Sequence, residues 1–278
     1  MSITVTRINT TPIKGVGLQH PSSVVVGPSG VHDNRRFYLI DDSGALINGK
    51  RAGTLVQLRA DHDDADNRLT LTLPDGEHVS GRVALTNKQV VTNFYGRDVR
   101  GTLVRDTWNE AISTLAGMPL RLVWADPATI AVDVHPVTLI STATMAWVRH
   151  ATDGPKNLWA NRFRMLFEID GLQPFEEETW LDQRINIGQA VCRVIEPVPR
   201  CVITTQDPAT GQSDFKTLQA LRDIRLSLAQ QGHAFADPLP ESGRLMLGMY
   251  AVVEQPGTIR VGDTVAPDAT SRVQSAND

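Results

Sequence analysis

Cysteine is nearly absent: the 278 residues carry only Cys192 and Cys201. Two thiols that far apart build neither a disulfide framework nor a CxxC metal or redox motif. The seven histidines fall in no HxH, HxxxH or HExxH spacing, so a zinc site is not expected. There is no GxGxxG and no GxxxxGK[ST], which removes the usual nicotinamide and nucleoside-triphosphate cradles. No apolar run approaches the ~18 residues that a membrane span needs, and the N-terminus lacks a basic region followed by an apolar core. A cytoplasmic, unanchored protein is expected. Net charge is −4, which gives no electrostatic case for nucleic-acid binding. No internal repeat is visible.

What is present is ordinary for a globular chain: 41% hydrophobic and 21% charged residues, enough for one large domain or two small ones. The first ~95 residues predict short strands and turns over Ile3–Ile8, Val24–Val26, Arg35–Ile40, Leu55–Leu58 and the alternating Leu69–Leu73. A strand opening at Val90 ends near Gly96. Trp108, Ile112 and Leu115 then share a helix face that Gly117 and Pro119 end. Residues 1–96 are thus expected to form a β-rich domain and 97–124 a helical connector. From 125 to 267 strands dominate again. They include Arg162–Asp170, with Phe163, Met165, Phe167 and Ile169 on one face and the arginines on the other. Ser141 or Thr142 is expected to cap a helix carrying Met145, Trp147 and Val148. Residues Thr217–Arg222 are expected to be helical, and 268–278 a polar, frayed tail. The fold class is mainly β: a β-rich N-terminal domain and a β-barrel with short peripheral helices.

The stretch EPVPRCVITTQDPATG, Glu196 to Gly211, carries the chemistry. Pro197 and Pro199 stiffen the approach to Cys201. Val202 and Ile203 read as a short buried strand, and Asp207–Gly211 reads as a turn. Cys192 alternates with Ala190 and Val194 and reads as a small core hydrophobe. Cys201 lies outside any such alternation and follows Arg200, whose guanidinium favours a thiolate able to attack electrophiles or ligate a soft metal. As a hydrolytic nucleophile it would need His135 or His233 as base, and no spacing places either. Arg35, Arg36, Arg164 and Arg200 stand at strand ends, and Lys14 lies in the Pro12–Gly15 loop. Together these residues would suit one phosphate-bearing anion. The Glu176–Glu178 run reads as a solvated loop face.

In order, PIKG, DNRRFYLIDDSG, NRFRMLFEIDG, FEEETW, PRCVITTQDPATG, TLQALR and GTIRVGDTV resemble the MOSC-domain proteins. The likeness is to the branch of the mitochondrial amidoxime-reducing component and its bacterial relatives, and it runs from Ile3 to about Val265. It implies a molybdenum–molybdopterin cofactor between an N-terminal domain and the MOSC barrel. Cys201 would be the metal ligand and catalytic thiolate. Lys14, Gly15, Arg35, Arg164, Pro199, Arg200 and Tyr250 would bind the cofactor. The implied reaction is reduction of a small N-oxygenated substrate, with electrons from an external cytochrome b5-like or ferredoxin-like reductase. A cofactor carrier without turnover, or a sulfur carrier using a Cys201 persulfide, is the alternative. One departure is Leu166, where the family's FRPN has asparagine; it is expected on the same strand face as Arg164. The anchor of the mitochondrial proteins and the ferredoxin-like domain of some bacterial ones have no counterpart in the resemblance.

Overall fold

The computed structural model describes residues 2–127, 131–155, 159–230 and 245–268. His233 and the expected tail beyond Asp268 lie outside them. Ten strands come first: β1 (Thr4–Ile8), β2 (Ser23–Gly27), β3 (Gly30–Val31), β4 (Phe37–Ile40), β5 (Leu46–Ile47), β6 (Arg59–Asp63), β7 (Arg68–Thr72), β8 (His78–Arg82), β9 (Leu85–Phe94) and β10 (Arg97–Val104). Helix α1 (Asn109–Ala116), β11 (Arg121–Ala125), β12 (Val137–Ser141) and α2 (Thr142–Thr152) follow. The chain continues through β13 (Phe167–Asp170), β14 (Arg184–Ile187), β15 (Ala190–Pro199) and α3 (Thr217–Gln230). It closes with β16 (Met246–Gln255), β17 (Gly257–Arg260) and β18 (Val265–Pro267).

Seven strands form one sheet in the order β1-β13-β12-β16-β15-β14-β18. Its edges nearly meet: Thr4 bridges Thr264, and Val265 N donates to the Ile3 carbonyl at 2.9 Å. The result is a barrel filled by Val5, Ile8, Phe167, Ile185, Cys192, Val194 and Met249, all essentially inaccessible. Cys192 has the structural place its alternation predicts, and burial pushes its thiol up to about 12. The first strand closes this barrel rather than joining an N-terminal domain. β1 pairs with β13, and β2 pairs with β17. Local periodicity identifies a strand but carries no information about a partner some 160 residues away.

Between β3 and β12 the chain builds a second unit around Phe37, Leu55, Leu69, Leu71, Trp108 and Leu122. Its five-stranded sheet runs β5-β4-β11-β10-β9, and β6-β7-β8 lies beside it. β7 shows why these strands form: Leu69 and Leu71 are buried while Thr70 and Thr72 are half-exposed. The 97–124 stretch holds α1, ended by left-handed Gly117 (φ 68°). It also holds β10 and β11, both inside the β4 sheet, so the stretch is sheet as well as connector. β10 was hidden because Arg97, Asp98 and Arg100 interrupt its apolar pattern.

Four local expectations change. Residues Gly53–Gln57 form a 3-10 turn, not a strand. Residues Val202–Thr205 form another, with Val202 half-exposed. The strand expected over 162–170 begins only at Phe167, after a 3-10 turn and a left-handed Arg164 (φ 52°). The acidic run is not a solvated face. Glu177 is fully buried; it accepts the Ser141 N–H at 3.0 Å and the Thr144 hydroxyl at 2.9 Å, which ties its 3-10 turn to the start of α2. Ser141 caps α2 by accepting the Thr144 N–H. Glu178 pairs with Arg225 of α3.

The barrel and the second unit meet at the turn that ends the cysteine stretch. Gly211 (φ 76°) lies so close to Gly53 that a Cβ on it would sit 1.9 Å from the Gly53 carbonyl oxygen. Gly211→Ala is therefore expected to cost about 2 kcal/mol or more, from strain and overpacking together. Gly44→Ala has the same backbone sign (φ 81°) and nothing within 4 Å. It should cost only about 1 kcal/mol. Chemical denaturation of both variants measures the difference, and equal losses would contradict close packing at Gly211.

Candidate functional site

The cleft begins where the Thr11–Gly15 loop is zipped to the segment before β4. Arg35 N donates to the Thr11 carbonyl (2.6 Å), Phe37 N to the Pro12 carbonyl (2.9 Å), and Lys14 N to the Phe37 carbonyl (2.8 Å). Two cations distant in sequence are thereby held side by side. Gly15 (φ 95°) lets this loop pass Asn48, whose Cα would lie 3.4 Å from an added Cβ. Lys14 is 4% exposed, and its ammonium donates to Asp133 Oδ1 at 2.7 Å and to the Ala131 carbonyl at 3.1 Å.

Arg164 and Arg200 approach from the barrel side. Arg164 Nη2 donates to the Val16 carbonyl at 2.7 Å. Pro199 ends β15 opposite Met246, and that register delivers Arg200. The Arg200 guanidinium donates to the Phe163 carbonyl at 2.8 Å and to Met165 Sδ at 2.9 Å. Leu166, expected beside Arg164, is instead 1% exposed in the barrel core, because no strand alternation spans 164–166. The departure from FRPN therefore falls in packing, not on the face of Arg164.

Cys201 is extended (φ −128°, ψ 176°) and half-buried at the head of the Val202–Thr205 turn. The two threonines after it anchor backbone: Thr204 Oγ1 donates to the Cys201 carbonyl (2.9 Å) and Thr205 Oγ1 to the Val202 carbonyl (2.7 Å). Arg162, almost fully buried, holds the turn from below. Its Nη1 donates to the Gln206 carbonyl (2.8 Å) and to Asp214 Oδ1 (2.7 Å). From the other unit, the Gly49 carbonyl accepts Gln206 Nε2 at 2.7 Å. The turn that carries Cys201 is thus held by both halves of the molecule. His135 is engaged elsewhere, with Nε2 at 2.9 Å from Glu196 Oε1 and its ring edge-on to Tyr250 at 5.2 Å.

One carboxylate organises the charge. Asp133 lies 47% exposed by side chain, with Lys14, Arg35 and Arg164 close enough to act on its carboxylate. Burial opposes its ionisation, but Lys14, Arg35 and Arg164 outweigh burial and hold the carboxyl down at about 2. Burial pulls Lys14 below the usual lysine range, against the pull of Asp133. Burial likewise brings Arg164 and Arg200 down to about 10, the first helped by Arg35, the second opposed by Tyr250, Cys201 and Asp133. Lys14, Arg35, Arg164 and Arg200 thus lie within electrostatic reach of Asp133, the carboxylate they share among the described residues. Two phenols lie within reach of the same carboxylate. Burial and Asp133 push both Tyr95 and Tyr250 up to about 12, so both stay protonated.

Lys14, Arg35, Arg164, Arg200, Tyr250 and Cys201, all chosen from sequence, thus share one electrostatic neighbourhood. Gly15 and Pro199 shape its backbone. Sequence reasoning missed Asp133, Tyr95 and Asn48. The usable signals were an aspartate isolated in the apolar run before β12 and a Tyr-Gly pair between two strands. A cavity of about 800 Å³ includes Arg35 and Arg36 in its lining but not Lys14, Asp133, Arg200 or Cys201. The charge and the thiol mark the candidate cleft.

Comparison with known proteins draws a boundary in the sequence near residue 120. Residues 2–119 match the MOSC N-terminal beta barrel domain and residues 126–266 the MOSC domain. The mitochondrial amidoxime reducing component 2 of Bos taurus is 28% identical, over 91% of this chain and 78% of its own length. The component 1 of Xenopus laevis is 27% identical, over 85% and 73%. The molybdenum cofactor sulfurase of Caenorhabditis elegans is 26% identical over 81% of this chain and 32% of its own. With family matches that together span nearly its whole length, the chain belongs to the MOSC domain family.

Proposed function

We propose that this protein is a molybdenum-cofactor oxidoreductase that reduces N-hydroxylated bases, hydroxylamines or amidoximes to the unoxygenated nitrogen. The observation that carries the reading is a half-exposed cysteine beside a cleft in which four cations face one carboxylate. Such an excess of buried positive charge is costly without an anion, and a phosphate-bearing pterin is one. A thiolate beside it suits a soft metal. The residues therefore fit the group. Lys14, Arg35, Arg164 and Arg200 would hold the phosphate and pterin, and Cys201 would ligate molybdenum. When bound, the cofactor supplies the two-electron, oxygen-accepting chemistry.

The rest falls to the chain. Overall, R–NHOH takes up two electrons and two protons and leaves as R–NH2 and water. The electrons come from an external protein, of cytochrome b5 or ferredoxin type. Asp133 Oδ1 keeps the Lys14 ammonium oriented, and that ammonium is the more acidic donor beside phenols held at about 12. Arg162 and Gln206 keep the Cys201 turn rigid, so the sulfur needs little reorganisation to meet a metal.

Two outcomes test this reading. With an artificial electron donor the loaded protein should reduce benzamidoxime. Cys201→Ser should keep the fold and the pterin, because the cations remain, yet lose turnover by about 100-fold or more. Full activity in that variant would rule out thiolate ligation, and loaded wild-type protein without turnover would make it a carrier. The second outcome concerns pH. A bound anion favours the Lys14 ammonium, so binding takes up a proton wherever Lys14 is partly neutral. Affinity is full below the lowered Lys14 pKa and declines as pH rises through it. Calorimetry with inorganic phosphate from about pH 8 to about pH 11 should show that decline in wild type, and Lys14→Arg should make it shallower, leaving the part due to Arg164 and Arg200, which lie at about 10. A decline equally steep in the arginine variant would remove Lys14 from the site.

A further inference from the structure

We infer that Tyr95 is the specificity-determining residue of the cleft mouth: its ring packs against a planar, unsaturated substrate body, and its hydroxyl donates a hydrogen bond to the nitrogen-borne oxygen. This rests on the reductase reading above and names the substrate class within it.

Tyr95 and Gly96 form the two-residue loop between β9 and β10, with Phe94 paired to Arg97. Both have positive φ, 56° and 100°. That turn favours Asn-Gly, and a bulky aromatic at its first position is strained. The strained ring is also 55% exposed. A large aromatic on the surface, in a backbone conformation that disfavours it, contributes little to the fold.

Its surroundings immobilise it at one place. Asn48 Nδ2 donates to the Tyr95 hydroxyl oxygen at 2.6 Å, and the Lys50 N–H donates to Asn48 Oδ1 at 2.9 Å. The second bond fixes which end of the amide meets the phenol, so the phenol accepts from Asn48 and its own hydrogen is free for another partner. The Lys50 ammonium lies 4.7 Å from the ring centroid and steadies it.

That place is the rim of the cleft. The Asn48–Lys50 turn leans on the cysteine loop: the Gly49 carbonyl accepts Gln206 Nε2, and an added Cβ on Gly49 would touch Ile203 at 3.6 Å. On its other side the hairpin reaches the Asp133 segment. Phe94 lies under the Lys14 ammonium at 5.3 Å, and Arg97 Nη2 donates to the Val132 carbonyl at 2.7 Å. Tyr95 therefore stands between the thiol and the Lys14–Asp133 pair. Val134 and Val202, next in sequence to Asp133 and Cys201, are 47% and 50% exposed. An apolar rim over a cationic floor suits a molecule with a flat unsaturated body and one polar N–O end.

The test is calorimetry on molybdenum-loaded, oxidised protein without electron donor, so that ligands bind without turning over. Benzamidoxime and hydroxylamine are compared on wild type, Tyr95→Phe and Tyr95→Asn. Tyr95→Asn creates the preferred Asn-Gly turn, so its melting temperature should be unchanged or higher. It should weaken benzamidoxime about tenfold and hydroxylamine by no more than about threefold. Tyr95→Phe should weaken both by about threefold, because only the hydroxyl is lost. Undiminished benzamidoxime affinity in Tyr95→Asn, or equal losses for the two ligands, would overturn the inference while leaving the reductase reading intact. Loaded wild-type protein that binds neither compound would overturn both.

Discussion

The contact on which the cleft depends is the 2.7 Å bond between the buried Lys14 ammonium and Asp133. Without Asp133, burial would drive Lys14 toward neutrality, and Arg35 and Arg164 would face one another unmediated. With it, the site keeps its positive charge but neutralises only part of it. In the proposed function the remainder meets the charge of a bound anion. The proposed anion would offset the cost of leaving this network cationic.

The backbone around this pair is strained in the same region. Arg35, Tyr95 and Arg164 are all left-handed, with φ of 56°, 56° and 52°. Each is a non-glycine residue held by neighbours: Arg35 by the Thr11 carbonyl, Tyr95 by Asn48, Arg164 by the Val16 carbonyl. Strain of this kind persists where surrounding structure over-determines it. Here that structure comes from two units at once. The barrel supplies Cys201, Arg200 and Tyr250; the Lys14 loop, zipped to β4, and the β9–β10 hairpin come against it. Gly53 and Gly211 keep the two parts in contact where no side chain would fit.

Much of this was legible in the amino-acid order. The alternation of Leu69 and Leu71, the cap at Ser141, the stop at Gly117 and the Asp207–Gly211 turn all rest on local rules, and local rules held there. The cleft residues Lys14, Arg35, Arg164, Arg200 and Cys201 were visible as basic and soft-ligand groups in a recognisable order. What stayed hidden was set by long-range contact. The closure of the barrel by β1 depends on a partner beyond residue 160. Glu177 looks solvated beside two other glutamates, yet it is buried because Ser141 and Thr144 need its oxygens. Arg164 breaks the apparent strand 162–170 because the chain turns left-handed there to reach Val16. Asp133 is marked in the sequence only by its isolation in the apolar run before β12, and its role exists only once Lys14 lies beside it.

The central claim is that the cleft is built to hold an anionic molybdenum cofactor. It is tested most directly by metal and pterin analysis of the protein purified from cells that synthesise the cofactor. The account predicts molybdenum and pterin together, in about equal amounts and near one of each per chain. Protein that emerges folded but free of both, despite an ample supply, would contradict it.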